Sequence, residues 1–143
     1  MLRIGKMTDY AMLIMSHMAK TPDQILSATA LSEALHLMAP TVSKILKMLA
    51  DAELVISLRG AEGGYKLARA AADISIVDII SAMEGDLALT ECCEVQGLCA
   101  IDSMCTLREN WKKINKMMKL MLSQLSILDM SKPLPQGINL HGK

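Results

Sequence analysis

Four cysteines, Cys92, Cys93, Cys99 and Cys105, all lie within residues 92–105 of a 143-residue chain. Thiolates ligate metals and carry redox chemistry, so this crowding is the first chemical signal. The spacing Cys93-x5-Cys99-x5-Cys105 is regular. It lacks the close C-x₂₋₄-C pairs of structural zinc sites. It is not C-x-x-C, which argues against a thioredoxin-like dithiol. An iron–sulfur cluster needs separate sulfurs aimed at separate irons. Five-residue spacers around Gly97 give a loop long enough to wrap three corners of such a cluster. The fourth corner is left to Cys92 or to an oxygen or nitrogen donor from elsewhere, and either adjacent cysteine can supply the first ligand. The competing reading is a disordered loop of reduced cysteines, or an occasional disulfide. His17 and His36 read as surface or boundary residues and His141 lies in the tail, so none is assigned to metal.

A second set of residues suits contact with DNA. Pro40, Thr41, Ser43, Lys44 and Lys47 fall on one side of a helix whose other side is Val42, Ile45, Leu46 and Leu49. Those apolar residues recur at i, i+3, i+4 and i+7. Hydroxyls and ammoniums on the free side can donate to phosphates and base edges. Arg59, Gly60 and Gly63 sit in a glycine-rich turn that lets a backbone approach DNA closely.

The elements that must carry these groups follow from patterning. A first helix is expected from about Thr8, as N-cap, to Lys20, with Ala11, Met12, Met15, Met18 and Ala19 inward. Thr21-Pro22-Asp23 ends it. Ser27 caps a short second helix with Ala30, Leu31, Ala34 and Leu35 inward. His36 to Ala39 turns the chain, and Pro40 fits the first position of the third helix. The period then changes. Leu54 to Leu58 and Tyr65 to Ala68 read as strands of a β-hairpin. Ser75 and Asp78 read as a capping box opening a helix with Ile76, Ile79, Ile80 and Met83, closed by Gly85. Residues 86–105 read as irregular and acidic. One long helix is expected over Thr106 to Leu128, with a heptad seam of Leu107, Trp111, Ile114, Met118, Met121, Leu125 and Leu128.

The fold class is therefore mainly α with a small β-hairpin: a winged helix-turn-helix DNA-binding domain plus a long C-terminal dimerisation helix. The expected division is 1–85 DNA-binding domain, 86–105 cysteine-bearing loop, 106–130 dimerisation helix and 131–143 loose tail.

Composition narrows the function classes. Hydrophobic residues make up 52%, enough for a core, while aromatics make up 2%, with no Phe and 13 Met. That excludes a single-strand binder built on stacked aromatics and disfavours a β-sandwich. Formal net charge is +0. Residues 1–72 hold eight Lys/Arg and six Asp/Glu, residues 73–110 one and eight, and residues 111–143 six and one. A basic DNA face must therefore be local. No apolar run approaches the roughly 18 residues of a membrane span. Asp9, Ser16 and His17 interrupt the first apolar stretch, so no signal peptide is read and a cytoplasmic protein is expected. No nucleophile–base pair, P-loop or paired carboxylates suggest an enzyme, and no small-molecule substrate is expected.

The chain resembles the IscR/NsrR-type iron–sulfur winged-helix transcriptional regulators over about residues 1–130. The resemblance rests on Leu2-Arg3 through Thr8-Asp9-Tyr10-Ala11, on Leu54-Val55, Arg59-Gly60 and Gly63-Gly64-Tyr65, on Ile79 through Gly85, on three cysteines and on Trp111. Pro40-Thr41-Val42-Ser43-Lys44 and Leu87 to Glu91 look most like the branch regulating the SUF cluster-assembly operon. The resemblance implies a homodimer joined through the long helix and a [4Fe-4S] or [2Fe-2S] cluster on Cys93, Cys99 and Cys105 near the interface. In IscR-like members a His three residues after the last Cys completes the site; here that residue is Arg108, which stays protonated and cannot ligate. In NsrR-like members an Asp early in the first helix, from the partner subunit, is the fourth ligand, and Asp9 matches that position.

The expected function is a homodimeric repressor or activator that binds double-stranded promoter DNA, senses cluster status and controls cluster-assembly genes. The alternatives are a cluster-free thiol/disulfide sensor on the same fold and a protein-interaction module that does not bind DNA.

Overall fold

The computed structural model describes residues 3–136. Helix α1 spans Lys6–Lys20, α2 Ala28–Leu35 and α3 Ala39–Asp51. Strands β1 (Val55–Leu58) and β2 (Gly64–Leu67) follow, then α4 (Ile76–Glu84), α5 (Glu91–Glu94), α6 (Arg108–Ser123) and α7 (Ile127–Met130). The fold is mostly helical with one antiparallel hairpin, as the sequence patterning predicts.

Helix α1 begins earlier than expected. Its N-cap is Gly5, and Thr8 is not a cap. Thr8 sits at the third helical position, fully buried, with its hydroxyl donating to Glu84 Oε1. The same carboxylate accepts the Gly5 N–H at 2.7 Å. Glu84 thus does across the fold what a third-position Glu does within a capping box. Ala11, Met12, Met15, Met18 and Ala19 are buried as expected, joined by Ile14.

Ser27 caps α2 by accepting the Ala30 N–H at 3.0 Å. The inward face of α2 is narrower than expected. Leu31 is fully buried and Leu35 half-buried, while Ala30 and Ala34 face solvent. An alanine methyl is too short to recruit cover on an eight-residue surface helix. His36 ends α2 in the left-handed region at φ 54°. The Ser32 hydroxyl donates to the Leu37 carbonyl at 2.6 Å and holds the turn into α3. Met38 is the N-cap of α3, which places Pro40 at the second helical position instead of the first. Val42, Ile45, Leu46 and Leu49 are fully buried.

In the hairpin Val55 pairs with Leu67 and Leu58 with Gly64. A further bridge joins Leu26 to Tyr65, with N–H···O distances of 2.9 and 2.8 Å. A Cβ on Gly64 would come within 2.6 Å of the Leu26 carbonyl, so only glycine permits this approach.

Ser75 and Asp78 form the expected capping box, and Gly85 ends α4 at φ 86°. The single long helix predicted to reach Leu128 is not observed. Helix α6 stops at Ser123 and the short α7 starts after a second capping box, Ser126 with Asp129. Ser126 bridges Ser75, the Ile127 N–H donates to Ile74 O at 2.8 Å, and Ile127 is fully buried. Tying this segment back to the start of α4 outweighs continuing the helix. Of the expected tail, residues 131–136 are exposed or nearly so, and 137–143, with His141, lie outside the described residues, as does Leu2.

Candidate DNA interface and thiol segment

Burying one face of α3 leaves the other free by construction. Pro40, Ser43, Lys44 and Lys47 are exposed and Thr41 is half-buried. At the hairpin tip Arg59 and Gly60 are exposed and Gly63 is half-buried. Gly60 adopts φ 118°, and its carbonyl accepts the Gly63 N–H at 3.0 Å to close the turn. Met38, which no sequence pattern singles out, is exposed at the start of α3 beside Ala39 and Pro40.

The four cysteines are free and half-buried. Cys92 and Cys93 ride on the one-turn α5, which packs on α6. Thr90 Oγ1 lies 3.1 Å from Cys92 Sγ and 3.2 Å from Cys93 Sγ, so both sulfurs gather around one hydroxyl. They face a shallow cleft of about 320 Å³ that Lys112, Asn115, Lys116 and Lys119 also line. Cys99 lines a different cleft, of about 350 Å³, with Gly97, Asp102, Ser103 and Arg108. There Asp102 Oδ2 accepts the Gly97 N–H at 3.0 Å, while its Oδ1 stands 2.8 Å from Arg108 Nε. Arg108 therefore ties the end of the cysteine segment to the start of α6.

As donors the thiols fit an iron–sulfur cluster in kind and number. As placed they are not gathered: no three His, Cys, Asp or Glu side chains come together in a metal site among the described residues. Asp9, in the first turn of α1, is exposed and lines a groove with Arg3, Ile4, Lys6, Met12, Ile76, Leu122 and Met130. No cysteine lines that groove, so one chain does not bring Asp9 to the thiols.

Asn115 was not foreseen. It is the buried residue of α6, accepting the Leu89 N–H at 3.0 Å and donating Nδ2–H to Leu87 O at 3.2 Å. A lone Asn at the edge of an apolar seam was the available signal. The expected seam itself divides. Leu107, Trp111, Ile114 and Met121 are exposed, with Met117 and Leu120 beside them. Met118 is half-buried. Leu125 and Leu128 lie beyond the end of α6 and pack on the core of their own chain, which removes both from a continuous helical seam.

A helix-turn-helix closed by a β-hairpin, with the third helix free on its polar face, defines the class: a winged-helix transcriptional regulator. Residues 4–133 match the family Rrf2, described as an iron-dependent transcriptional regulator, and the chain belongs to that family. It is 32% identical over 109 residues to the HTH-type transcriptional regulator NsrR of Oceanobacillus iheyensis, covering 75% of this chain and 74% of that one. Among solved structures it is similar to CymR (YrzC), the global cysteine regulator of B. subtilis, at 28% identity and TM-score 0.72, covering 92% and 97% of the two chains. It is also similar to T. potens IscR, at 27% identity and TM-score 0.69, covering 95% and 94%. The relatives are regulators of transcription and not enzymes. No helix among the described residues is long and apolar enough to cross a membrane.

Proposed function

We propose that this chain is a homodimeric regulator that binds promoter DNA and responds to iron–sulfur cluster status, with cluster-assembly genes of the SUF type as its targets. The observation that carries the reading is the position of α6. One face of that helix holds the thiol segment through α5 and Asn115, while another presents unpartnered apolar residues from Leu107 to Met121. One helix thereby joins the thiol segment to the surface best suited to a second copy.

On this reading residues 1–85 form the DNA-binding domain, 86–105 the sensing segment and 106–130 the dimerisation element. The DNA contacts are Pro40, Thr41, Ser43, Lys44 and Lys47 on α3, with Arg59, Gly60 and Gly63 at the wing. Two copies would place their α3 helices about one DNA turn, roughly 34 Å, apart on a palindrome. Cys93, Cys99 and Cys105 would hold a [4Fe-4S] or [2Fe-2S] cluster, with Cys92 or the partner's Asp9 as candidates for the fourth ligand. When bound, such a cluster supplies iron that reacts with oxidants. Asp86, Glu91, Glu94 and Asp102 lie in the same segment and repel phosphate wherever the segment is loose. A coupling of about 1–3 kcal/mol between sensing segment and DNA face corresponds to about 5–150-fold in affinity.

The test is anaerobic purification with an absorption spectrum and iron and acid-labile sulfide assays. Matched iron and sulfide, lost in Cys99→Ala with the helical dimer intact, is the expected result. A protein that stays colourless after reconstitution with iron and sulfide overturns the cluster. In that case the clustering of Cys92 and Cys93 around Thr90 favours the second reading, a thiol/disulfide sensor on the same DNA-binding fold.

A further inference from the structure

The leading end of α3 is apolar. Met38, Ala39 and Pro40 are consecutive, all exposed, and Met38 is 75% exposed. The polar residues of this helix begin only at Thr41 and Ser43. In a helix-turn-helix protein the N-terminal residues of the recognition helix meet the base edges. This chain therefore brings methyl and methylene groups to that position before any hydrogen-bonding group.

Met38 also occupies a position where another residue type would serve the helix better. It is the N-cap of α3, and no side chain caps that end. Ser, Thr, Asp or Asn there would accept an orphan N–H, whereas Met has no such acceptor. Its side chain has little burial to compensate, because it lies in solvent. A large apolar group at a capping position, exposed and at the groove-facing end, is explained by contact with an apolar feature of DNA. The major groove offers one on its base edges, the C5-methyl of thymine.

We propose that Met38 is a specificity-determining residue that selects thymine within each operator half-site by packing on the thymine 5-methyl group. The proposal rests on the promoter-binding reading above and adds to it which base the leading end of α3 prefers and why. Ala39 and Pro40 supply the dry surround that excludes water from the contact.

The experiment is selection from a duplex DNA library with a randomised core, using the full chain purified anaerobically, in parallel for the native protein, Met38→Ser and Met38→Leu. The native protein is expected to enrich thymine at a defined position of each half-site. Replacing that thymine by uracil, which removes only the methyl, should then weaken binding roughly fourfold, the worth of burying one such group. Met38→Ser should bind the thymine and uracil duplexes equally, and Met38→Leu should keep the preference. Met38→Ser restores a capping oxygen, so its melting temperature should not fall, and loss of discrimination cannot be loss of fold. If Met38→Ser enriches the same thymine and discriminates uracil as the native protein does, the assignment to Met38 is overturned. If the native protein enriches no sequence at all, the promoter-binding reading fails, and this proposal with it.

Discussion

The buried hydroxyl of Thr8 donates to the carboxylate of Glu84, which also accepts the Gly5 N–H. One residue at the end of α4 thus closes the start of α1 and joins these two helices. Thr8→Val keeps the shape and removes the donor. It should cost about 1 kcal/mol. Glu84→Ala should cost more, about 1–3 kcal/mol, because it leaves a buried donor unpaired. Urea denaturation of both variants checks the order, and equal stabilities would contradict it.

Asn115 ties the segment before α5 to α6 through the backbone of Leu87 and Leu89. Asn115→Ala should destabilise by about 2–3 kcal/mol, since two backbone groups lose their partner. Amide exchange localises the effect. The Leu89 N–H should exchange much faster in the variant, with amides of α3 little changed.

The Ser126 hydroxyl and then its N–H hold the Asp129 carboxyl below the usual carboxylate range, with Lys132 adding a smaller effect in the same direction. A carboxyl depressed in the folded state stabilises the fold above its unfolded pKa, and this contribution is lost as pH falls through the folded value. Ser126→Ala should therefore let the Asp129 pKa rise in an NMR titration. It should also cost about 1 kcal/mol at neutral pH through the lost cap. The difference between native and variant should shrink under acid.

Lys44 and Lys47 are exposed on α3. If each meets a phosphate, replacing either with alanine should weaken DNA binding across all sequences. It should also lower the slope of log affinity against log salt by about one. Fluorescence anisotropy at several salt concentrations measures this, and an unchanged slope removes that lysine from the interface. A native slope near zero would favour a protein partner over DNA.

Gly64 lies where the hairpin passes the Leu26 carbonyl. Gly64→Ala should break the Leu26–Tyr65 bridge, shift the wing and reduce DNA affinity while α1 to α4 stay folded. Circular dichroism beside a binding curve separates these outcomes.

Much of this architecture is legible in local patterns. Val42, Ile45, Leu46 and Leu49 declare the buried side of α3, and with it the free side. Ser75-x-x-Asp78 and Gly85 mark both ends of α4 because caps act within a few residues. The same signal was present in Ser126-x-x-Asp129, but a heptad that ran on through Leu125 and Leu128 masked it. Periodicity reports which residues are apolar and not which surface covers them. Leu125 and Leu128 found their own chain's core, whereas Leu107, Trp111 and Ile114 did not.

The sequence by itself determined the helix-turn-helix, the hairpin, the kinds of side chain on α3 and the set of four thiols, since propensity, capping and spacing are local properties. Only the tertiary structure decided that Thr8 serves Glu84, that Asn115 anchors the thiol segment, that α6 ends at Ser123, and that Cys92 and Cys93 face one cleft while Cys99 faces another. These are contacts between residues 26 or more positions apart or between separate elements. Which of the available partners a polar group or an apolar face meets depends on the packing of the whole chain, which no local pattern encodes.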